Sequence, residues 1–122
     1  KADALRVRSS GSFKVTTRSK STDQIRACFT VMANELAKAG DKAFYMQIIS
    51  PDGGVLKDGA AIEFEAGGTS QQASIKRVVR YEKQNTDMCI FFEVSDSIGG
   101  GEYIVKIFCE GKEIGSTKFS LK

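Results

Sequence analysis

The chain has 122 residues, of which 41% are hydrophobic and 27% are charged, and its formal net charge is +3. This composition indicates one folded domain and excludes a disordered chain, and no apolar run approaches the roughly 18 residues of a membrane span. The absence of histidine excludes Ser-His and Cys-His nucleophile pairs and His-ligated zinc.

The first 20 residues carry six basic side chains and one acidic side chain, which is a local charge of +5. Apolar and basic residues alternate over 5–8 and again from Phe13, with a break rich in serine and glycine between them. This pattern predicts a first strand that is split at a sheet edge, or a linker followed by a strand. We expect a basic edge that blocks pairing with other chains, and contact with phosphates or anionic lipid is the alternative.

Alternation with a period of two predicts further strands at residues 24–32, 42–50, 61–65, 73–82, 87–94 and 102–109, and a last strand that closes the chain. Between them we expect one helical turn at 34–40 and a loop at 67–72. Short strands with turn-rich connections favour an all-β, immunoglobulin-like antiparallel β-sandwich of about seven strands, in a single domain over 1–122.

Tyr103 follows a glycine turn just inside its strand, which is the place of the tyrosine corner in immunoglobulin-like sandwiches. Because side chains alternate between the two faces of a strand, the inner face of this strand is predicted from the sequence. It comprises Tyr103, Val105, Ile107 and Cys109, which we expect to face Ile25, Phe29, Phe92 and Phe119.

Two of the three cysteines, Cys28 and Cys89, fall on the outward faces of strands that are neighbours in an immunoglobulin-like order. Residues directly opposed in such a pair lie about 4.5–5.5 Å apart at Cα, which is within disulfide range. In an oxidising compartment we expect a Cys28–Cys89 disulfide, with Cys109 free and buried. The alternative is three reduced thiols that act as small hydrophobic residues.

Four apolar side chains are predicted to point outward from two adjacent strands of one sheet, namely Tyr45, Ile49, Ile104 and Phe108. A patch of this kind is typical of an interface, where aromatic residues are enriched. We therefore expect this face to bind a second copy, a stalk segment outside this sequence or a partner protein. The alternative is that another segment of the chain, around residues 55–72, covers it.

No motif in the sequence indicates an enzyme or a cofactor. The glycines at 99–101 precede a strand rather than a helix, so they do not form a phosphate site at a helix N-terminus. Asp52, Asp58, Glu63 and Glu65 lack the ordered spacing of a calcium loop. We expect no catalytic residues, no metal and no cofactor.

Motifs over residues 25–122 carry a resemblance to a known group of proteins. They are Ala27-Cys28-Phe29, Asn34-Glu35-Leu36-Ala37, Phe44-Tyr45-x-Gln47-Ile48-Ile49, Cys89-Ile90-Phe91, Gly101-x-Tyr103-x-Val105 and Phe119-x-Leu121-Lys122. The pattern resembles the C-terminal β-sandwich of bacterial cell-envelope proteins in which a coiled-coil stalk precedes the domain. The resemblance implies a periplasmic or envelope-associated fragment of a larger protein, and it offers no catalytic residues.

Two functions are compatible with these observations. The first is a non-catalytic interaction or structural module that binds a protein partner or a second copy through a sheet face or loops. The alternative is a polyanion-binding domain that uses the basic N-terminal arm, and salt dependence separates the two. Nucleic acid is not expected as a partner, because no aromatic platform or recognition helix accompanies the charges. Membrane contact is expected only through segments outside this sequence.

Overall fold

A computed structural model of the chain describes residues 1–33, 38–59, 62–95 and 97–122. Within these ranges it has ten strands and one turn of 3-10 helix at Ser19–Ser21. The strands are β1 (Ala2–Val7), β2 (Phe13–Thr16), β3 (Gln24–Val31), β4 (Gly40–Ile49), β5 (Ile62–Ala66), β6 (Thr69–Ala73), β7 (Ile75–Tyr81), β8 (Thr86–Glu93), β9 (Gly101–Cys109) and β10 (Lys112–Leu121). The helical turn predicted at 34–40 lies mostly outside the described residues.

Two four-stranded antiparallel sheets pack against each other around one core. The first sheet has the order β2-β1-β3-β8, and the second has the order β10-β9-β4-β7. Strands β5 and β6 form a separate two-stranded hairpin. The predicted all-β antiparallel sandwich is confirmed, with ten strands instead of about seven.

The strand count differs from the prediction at two hairpins. The split first strand is two antiparallel strands, β1 and β2, with β2 at the sheet edge. The prediction of a loop at 67–72 is wrong, because Gly67 and Gly68 form a tight turn with φ values of +60° and +78° that leads into β6. Two successive positive φ angles are the requirement of a two-residue hairpin turn, and glycine meets it without strain.

The predicted inner faces of the central strands are confirmed by burial. The buried side chains are Ile25, Ala27 and Val31 from β3, Phe44, Met46 and Ile48 from β4, Met88, Ile90 and Phe92 from β8, and Tyr103, Val105, Ile107 and Cys109 from β9. Phe119 is the exception, because it lies on β10 directly opposite Tyr103 of β9. Their rings stack at 5.4 Å within one sheet, so the prediction that Phe119 faces Tyr103 from the other sheet is wrong.

Tyr103 ties the start of β9 to the turn before it. Its hydroxyl donates a hydrogen bond of 2.5 Å to the carbonyl oxygen of Gly99, four residues upstream, as in a tyrosine corner. Burial raises the pKa of this phenol. Gly101 is required next to it, since its φ is +133° and an added Cβ would lie 2.6 Å from the ring of Pro51.

Candidate interaction surface

The four residues of the predicted apolar patch do lie together on the outer face of the second sheet. Tyr45 is paired with Phe108, and Ile49 is paired with Ile104, across β4 and β9. The β5–β6 hairpin covers half of this face, since the ring of Phe64 lies 4.7 Å from Tyr45 and 5.0 Å from Phe108.

Phe108 is only 5% exposed beneath that hairpin. The prediction that it lies on an open docking surface is therefore wrong, and the alternative of a covering segment describes the structure. The physical reason is a second hydrophobic cluster in which Phe64, Ala66 and Ala73 pack on Phe108. Ile49 and Ile104 are half-buried, and their role in an interface stays a prediction.

Hydrogen bonds hold this covering hairpin to β4. The amide of Ser74 donates to the carbonyl oxygen of Met46 at 2.8 Å, and the amide of Ile48 donates to the Ser74 hydroxyl at 3.0 Å. The buried side-chain amide of Gln47 donates to the carbonyl oxygen of Gln72 at 2.9 Å. These bonds satisfy polar groups that would be costly to bury alone, so the hairpin belongs to the folded body.

Cys28 and Cys89 are directly opposed on β3 and β8 and form a disulfide, with their Cα atoms 4.0 Å apart. The pairing is the one predicted for an oxidising compartment, and it lies on the outer side of the first sheet. Cys109 is free and buried, as the same prediction states. Burial raises its pKa to about 11, so it is a protonated thiol near neutral pH and a weak nucleophile.

Three of the large apolar side chains that are exposed in the described part of the chain, Val7, Phe13 and Val15, lie on the β1–β2 hairpin, for which the sequence predicts a basic edge or linker. All ten residues over 6–15 are exposed. Val7 pairs with Phe13 across the hairpin, and Val15 is two residues further along β2, so these three share a face. They are 38%, 50% and 51% exposed respectively.

The contacts of Phe13 show how the β1–β2 hairpin lies on the first sheet. Its ring is 6.4 Å from the ring of Phe91 on β8, although β2 and β8 are the outermost strands of a sheet with strands about 4.8 Å apart. The hairpin must therefore curl across the outer face. The Arg26 guanidinium lies 5.5 Å from the Phe13 ring centroid, and Asp3 holds that guanidinium by hydrogen bonds of 2.9 and 2.7 Å.

Among the described residues, the β1–β2 hairpin and the segment after it carry several cations without an ion pair, and Lys57, Lys76 and Lys112 elsewhere have none either. Within the described residues, the side chains that form no ion pair include Arg6, Arg8, Lys14, Arg18 and Lys20. Cations elsewhere that do have carboxylate partners are Arg26, Lys42, Arg80, Lys106 and Lys118. Arg6 and Lys14 are also directly opposed across β1 and β2, where like charges repel. The hairpin thus presents positive charge that the described part of the chain does not neutralise.

A shallow pocket of about 370 Å³ lies where the β5–β6 hairpin meets β4 and the β9–β10 turn. Tyr45 and Phe64 line it, and the carboxylates of Asp41, Glu65 and Glu110 stand around it. Lys42 neutralises Glu110 at 3.6 Å, whereas Glu65 is exposed and has no ion pair among the described residues. Asp41 is paired with Arg80 at 3.8 Å, and the Lys76 ammonium lies 5.8 Å from the centroid of the Tyr45 ring. The pocket therefore combines an aromatic lining with charges of both signs.

Neither the β1–β2 hairpin nor the pocket beside β5–β6 has the composition of a metal centre. Among the described residues, no three His, Cys, Asp or Glu side chains are grouped so that they could hold a metal ion. In the same ranges, no helix has the length and apolar character needed to cross a bilayer.

Comparison with protein-family models gives a match over the whole chain. The model of the DUF8428 family, described as a domain of unknown function, matches residues 1–122. No curated protein and no solved structure is similar enough to match the chain.

Proposed function

The chain belongs to the DUF8428 family, and we propose that it is a non-catalytic interaction module that binds a protein partner through the β1–β2 hairpin. The observation that carries the proposal is the exposure of Phe13, Val15 and Val7 on one face of that hairpin. Aromatic residues are enriched in the cores of protein interfaces, and contiguous apolar side chains are seldom exposed to solvent on monomeric proteins. The proposal thus moves the interface from the second sheet, where the sequence predicted it, to the first.

The contacts beneath Phe13 support this role. Arg26 and Phe91 hold one side of the ring, and half of the ring remains open to solvent. An aromatic side chain that is positioned before binding loses little rotamer freedom when a partner covers it. Phe13 is therefore suited to be the residue whose truncation costs the most binding energy.

A polyanion-binding role is the second candidate, and the unpaired cations of residues 6–20 favour it. Such binding releases counterions, so its affinity would fall steeply as salt rises. It would not require the apolar face of the hairpin. Phosphate-polymer binding that survives Phe13→Ser and disappears in Arg6→Ser/Lys14→Ser would favour this candidate over a protein partner.

We further propose that the domain is immunoglobulin-like and works in the periplasm or another part of a bacterial cell envelope. The sheet order β1-β3-β8 against β10-β9-β4 supports the first point, because it corresponds to the ABE and GFC strands of that fold. The Cys28–Cys89 disulfide supports the second, because disulfides persist in oxidising compartments.

Site-specific photo-crosslinking in the native host tests the interaction proposal. A benzoylphenylalanine at position 13 should give a cross-linked product of defined mass, and Val15→Ser should reduce its yield. The matched control is the same probe at position 78, because Val78 is 58% exposed but lies on β7 of the other sheet. If position 13 gives no product beyond that of position 78, the hairpin is not an interaction surface.

A further inference from the structure

We propose that the partner of the β1–β2 hairpin adds an extended strand to the open edge of β2, and that acidic and apolar residues alternate in this added strand. This inference rests on the proposed function, since it names the chemistry of the partner and the way in which it binds. Strand β2 is an outermost strand of the first sheet, and its residues Phe13, Lys14 and Val15 are all exposed. Strand addition of this kind gives affinity through main-chain hydrogen bonds and specificity through alternate side chains.

The main chain of β2 has hydrogen-bonding groups that point away from β1. On β1, the carbonyl oxygen of Leu5 accepts from the amide of Asp23 at 2.8 Å, and the amide of Val7 donates to the Asp23 carboxylate at 2.7 Å. These groups of β1 face away from β2. Because paired residues in an antiparallel ladder either exchange bonds or both point outward, the opposed residues Val15 and Phe13 point away from β1. Within the described part of the chain, their amides and carbonyl oxygens therefore face a free edge.

The side chains of β2 set the chemistry of the added strand. Lys14 lies on one face of the hairpin, directly opposite Arg6, whereas Phe13 and Val15 lie on the other face. Neither cation forms an ion pair among the described residues. A carboxylate beside Lys14 on the added strand would relieve the repulsion between the two cations. Apolar residues on either side of that carboxylate would extend the face formed by Phe13 and Val15.

The same cations disfavour a second copy as the source of the strand. Pairing of β2 with β2 of another copy would bring Lys14 of one chain close to Lys14 of the other, and like charges on neighbouring strands repel. Lysine on an edge strand is a common protection against such pairing. The basic edge predicted from the sequence therefore blocks a basic strand and accepts an acidic one.

Two other sheet edges are less open than that of β2. On β8, the guanidinium of Arg77 donates a hydrogen bond to the carbonyl oxygen of Cys89. On β10, a bulge between Glu113 and Gly115 interrupts the ladder, and Glu113 and Lys118 already form ion pairs with β9. Bulges and covered main-chain groups both protect an edge strand from pairing. The β2 edge combines free main-chain groups with unpaired charge.

Amide hydrogen exchange, measured for each residue by NMR, tests the inference with a short synthetic peptide of alternating valine and glutamate as the probe. In the free protein the amides of Phe13 and Val15 should exchange faster than those of Lys14 and Thr16, which face β1. Saturating peptide at low salt should slow exchange at Phe13 and Val15 by at least about tenfold, because each amide then donates to the peptide. A peptide of alternating valine and lysine is the matched control and should not bind.

A proline at position 15 tests the main-chain bonds separately from the side chain. Proline is tolerated on an edge strand where its nitrogen faces solvent, so Val15→Pro should keep the β1–β2 ladder, as checked by circular dichroism. It removes one donor and should weaken peptide binding at least about tenfold. Val15→Ala is the matched control, since it shortens the side chain but keeps the amide, and it should weaken binding less. If Val15→Pro unfolds, exchange in the wild-type protein decides the question.

The outcomes separate this inference from the function on which it rests. No binding of the valine–glutamate peptide at millimolar concentration overturns strand addition, and so does binding without slower exchange at Phe13 and Val15 or an equal loss in Val15→Pro and Val15→Ala. Polyphosphate that binds as tightly as the peptide also overturns it and favours the polyanion candidate. In the first three cases a cross-link from position 13 to a partner would leave the proposed function standing. If position 13 gives no cross-link, the proposed function fails as well.

Discussion

Two hairpins lie on opposite outer faces of this sandwich, and they differ in what they bury. In β5–β6, Phe64 is 7% exposed and packs on Tyr45 and Phe108. In β1–β2, Phe13 is 50% exposed, and its ring centroid lies 6.4 Å from that of Phe91 and 5.5 Å from the Arg26 guanidinium. One hairpin is therefore a cover for the core, and the other is an open surface.

The difference lies in the sheet face beneath each hairpin. The outer face of β4 and β9 is apolar at Tyr45 and Phe108, so a hairpin that packs on it buries apolar surface area. The outer face of β1, β3 and β8 is mixed, because it carries Phe91 and the Cys28–Cys89 disulfide beside the Arg26–Asp3 pair and the Gln24–Glu93 hydrogen bond, whose polar groups are costly to bury. The partner face, more than the hairpin's own sequence, decides which apolar residues become core.

The disulfide joins β3 and β8 on the sheet face over which the β1–β2 hairpin lies, so its removal is the strongest way to disturb that side of the comparison. Cys28 and Cys89 are separated by 61 residues, and a loop of about that length predicts a loss of about 4 kcal/mol for Cys28→Ala/Cys89→Ala in the chain-entropy model. Urea unfolding of the oxidised wild type and the double variant measures the loss. Equal unfolding midpoints would mean that the thiols are reduced in the protein, which peptide mapping without reductant would then confirm.

Truncation of one aromatic residue in each hairpin tests the comparison itself. Phe64→Ala should lower the free energy of unfolding by about 3 kcal/mol, because it leaves a cavity against Tyr45 and Phe108. Phe13→Ala should lower it by less than about 1 kcal/mol, since half of the ring is already in water. Thermal and urea unfolding compare the two variants. Equal losses would contradict the assignment of one hairpin to the core and the other to the surface.

A smaller effect is expected from the turns of the two hairpins. Gly67 and Gly11 both have positive φ, +60° and +88°, and no atom lies within 4 Å of an added Cβ at either site. Alanine therefore introduces only backbone strain, of about 1 kcal/mol. Gly67→Ala should show this loss in global unfolding because β5–β6 is part of the core. Gly11→Ala should show less, because the exposed tip can open without unfolding the body; a larger loss at Gly11 would reverse the comparison.

Much of the fold could be predicted from the sequence because alternation with a period of two marks one inner face on each central strand. Met88, Ile90 and Phe92 are an example, because they share one face of β8 and are all buried, and the same reasoning places Cys28 and Cys89 opposite each other. Phe119 was misplaced because alternation assigns a face within a strand but does not say which sheet lies opposite.

The candidate surface was harder to predict, because Phe13 and Phe64 stand in similar patterns. Each is an apolar residue in a short strand that alternates with charged side chains, Lys14 in one case and Glu63 and Glu65 in the other. The Gly67-Gly68 pair is a typical signal for a tight hairpin turn, although the sequence analysis predicts a loop at these positions. Long-range packing decides which of the two hairpins covers Phe108, and no local pattern in the sequence predicts this choice.

The most direct measurement uses tryptophan as a reporter, because the chain has none of its own. Phe13→Trp and Phe64→Trp each place a single indole in one hairpin, and both proteins are compared while folded, as checked by circular dichroism. An exposed β1–β2 face predicts long-wavelength emission and several times stronger acrylamide quenching in the Phe13→Trp protein than in the Phe64→Trp protein. Equal quenching of the two folded proteins, or stronger quenching of the Phe64→Trp protein, would contradict the division into an open hairpin and a covering one.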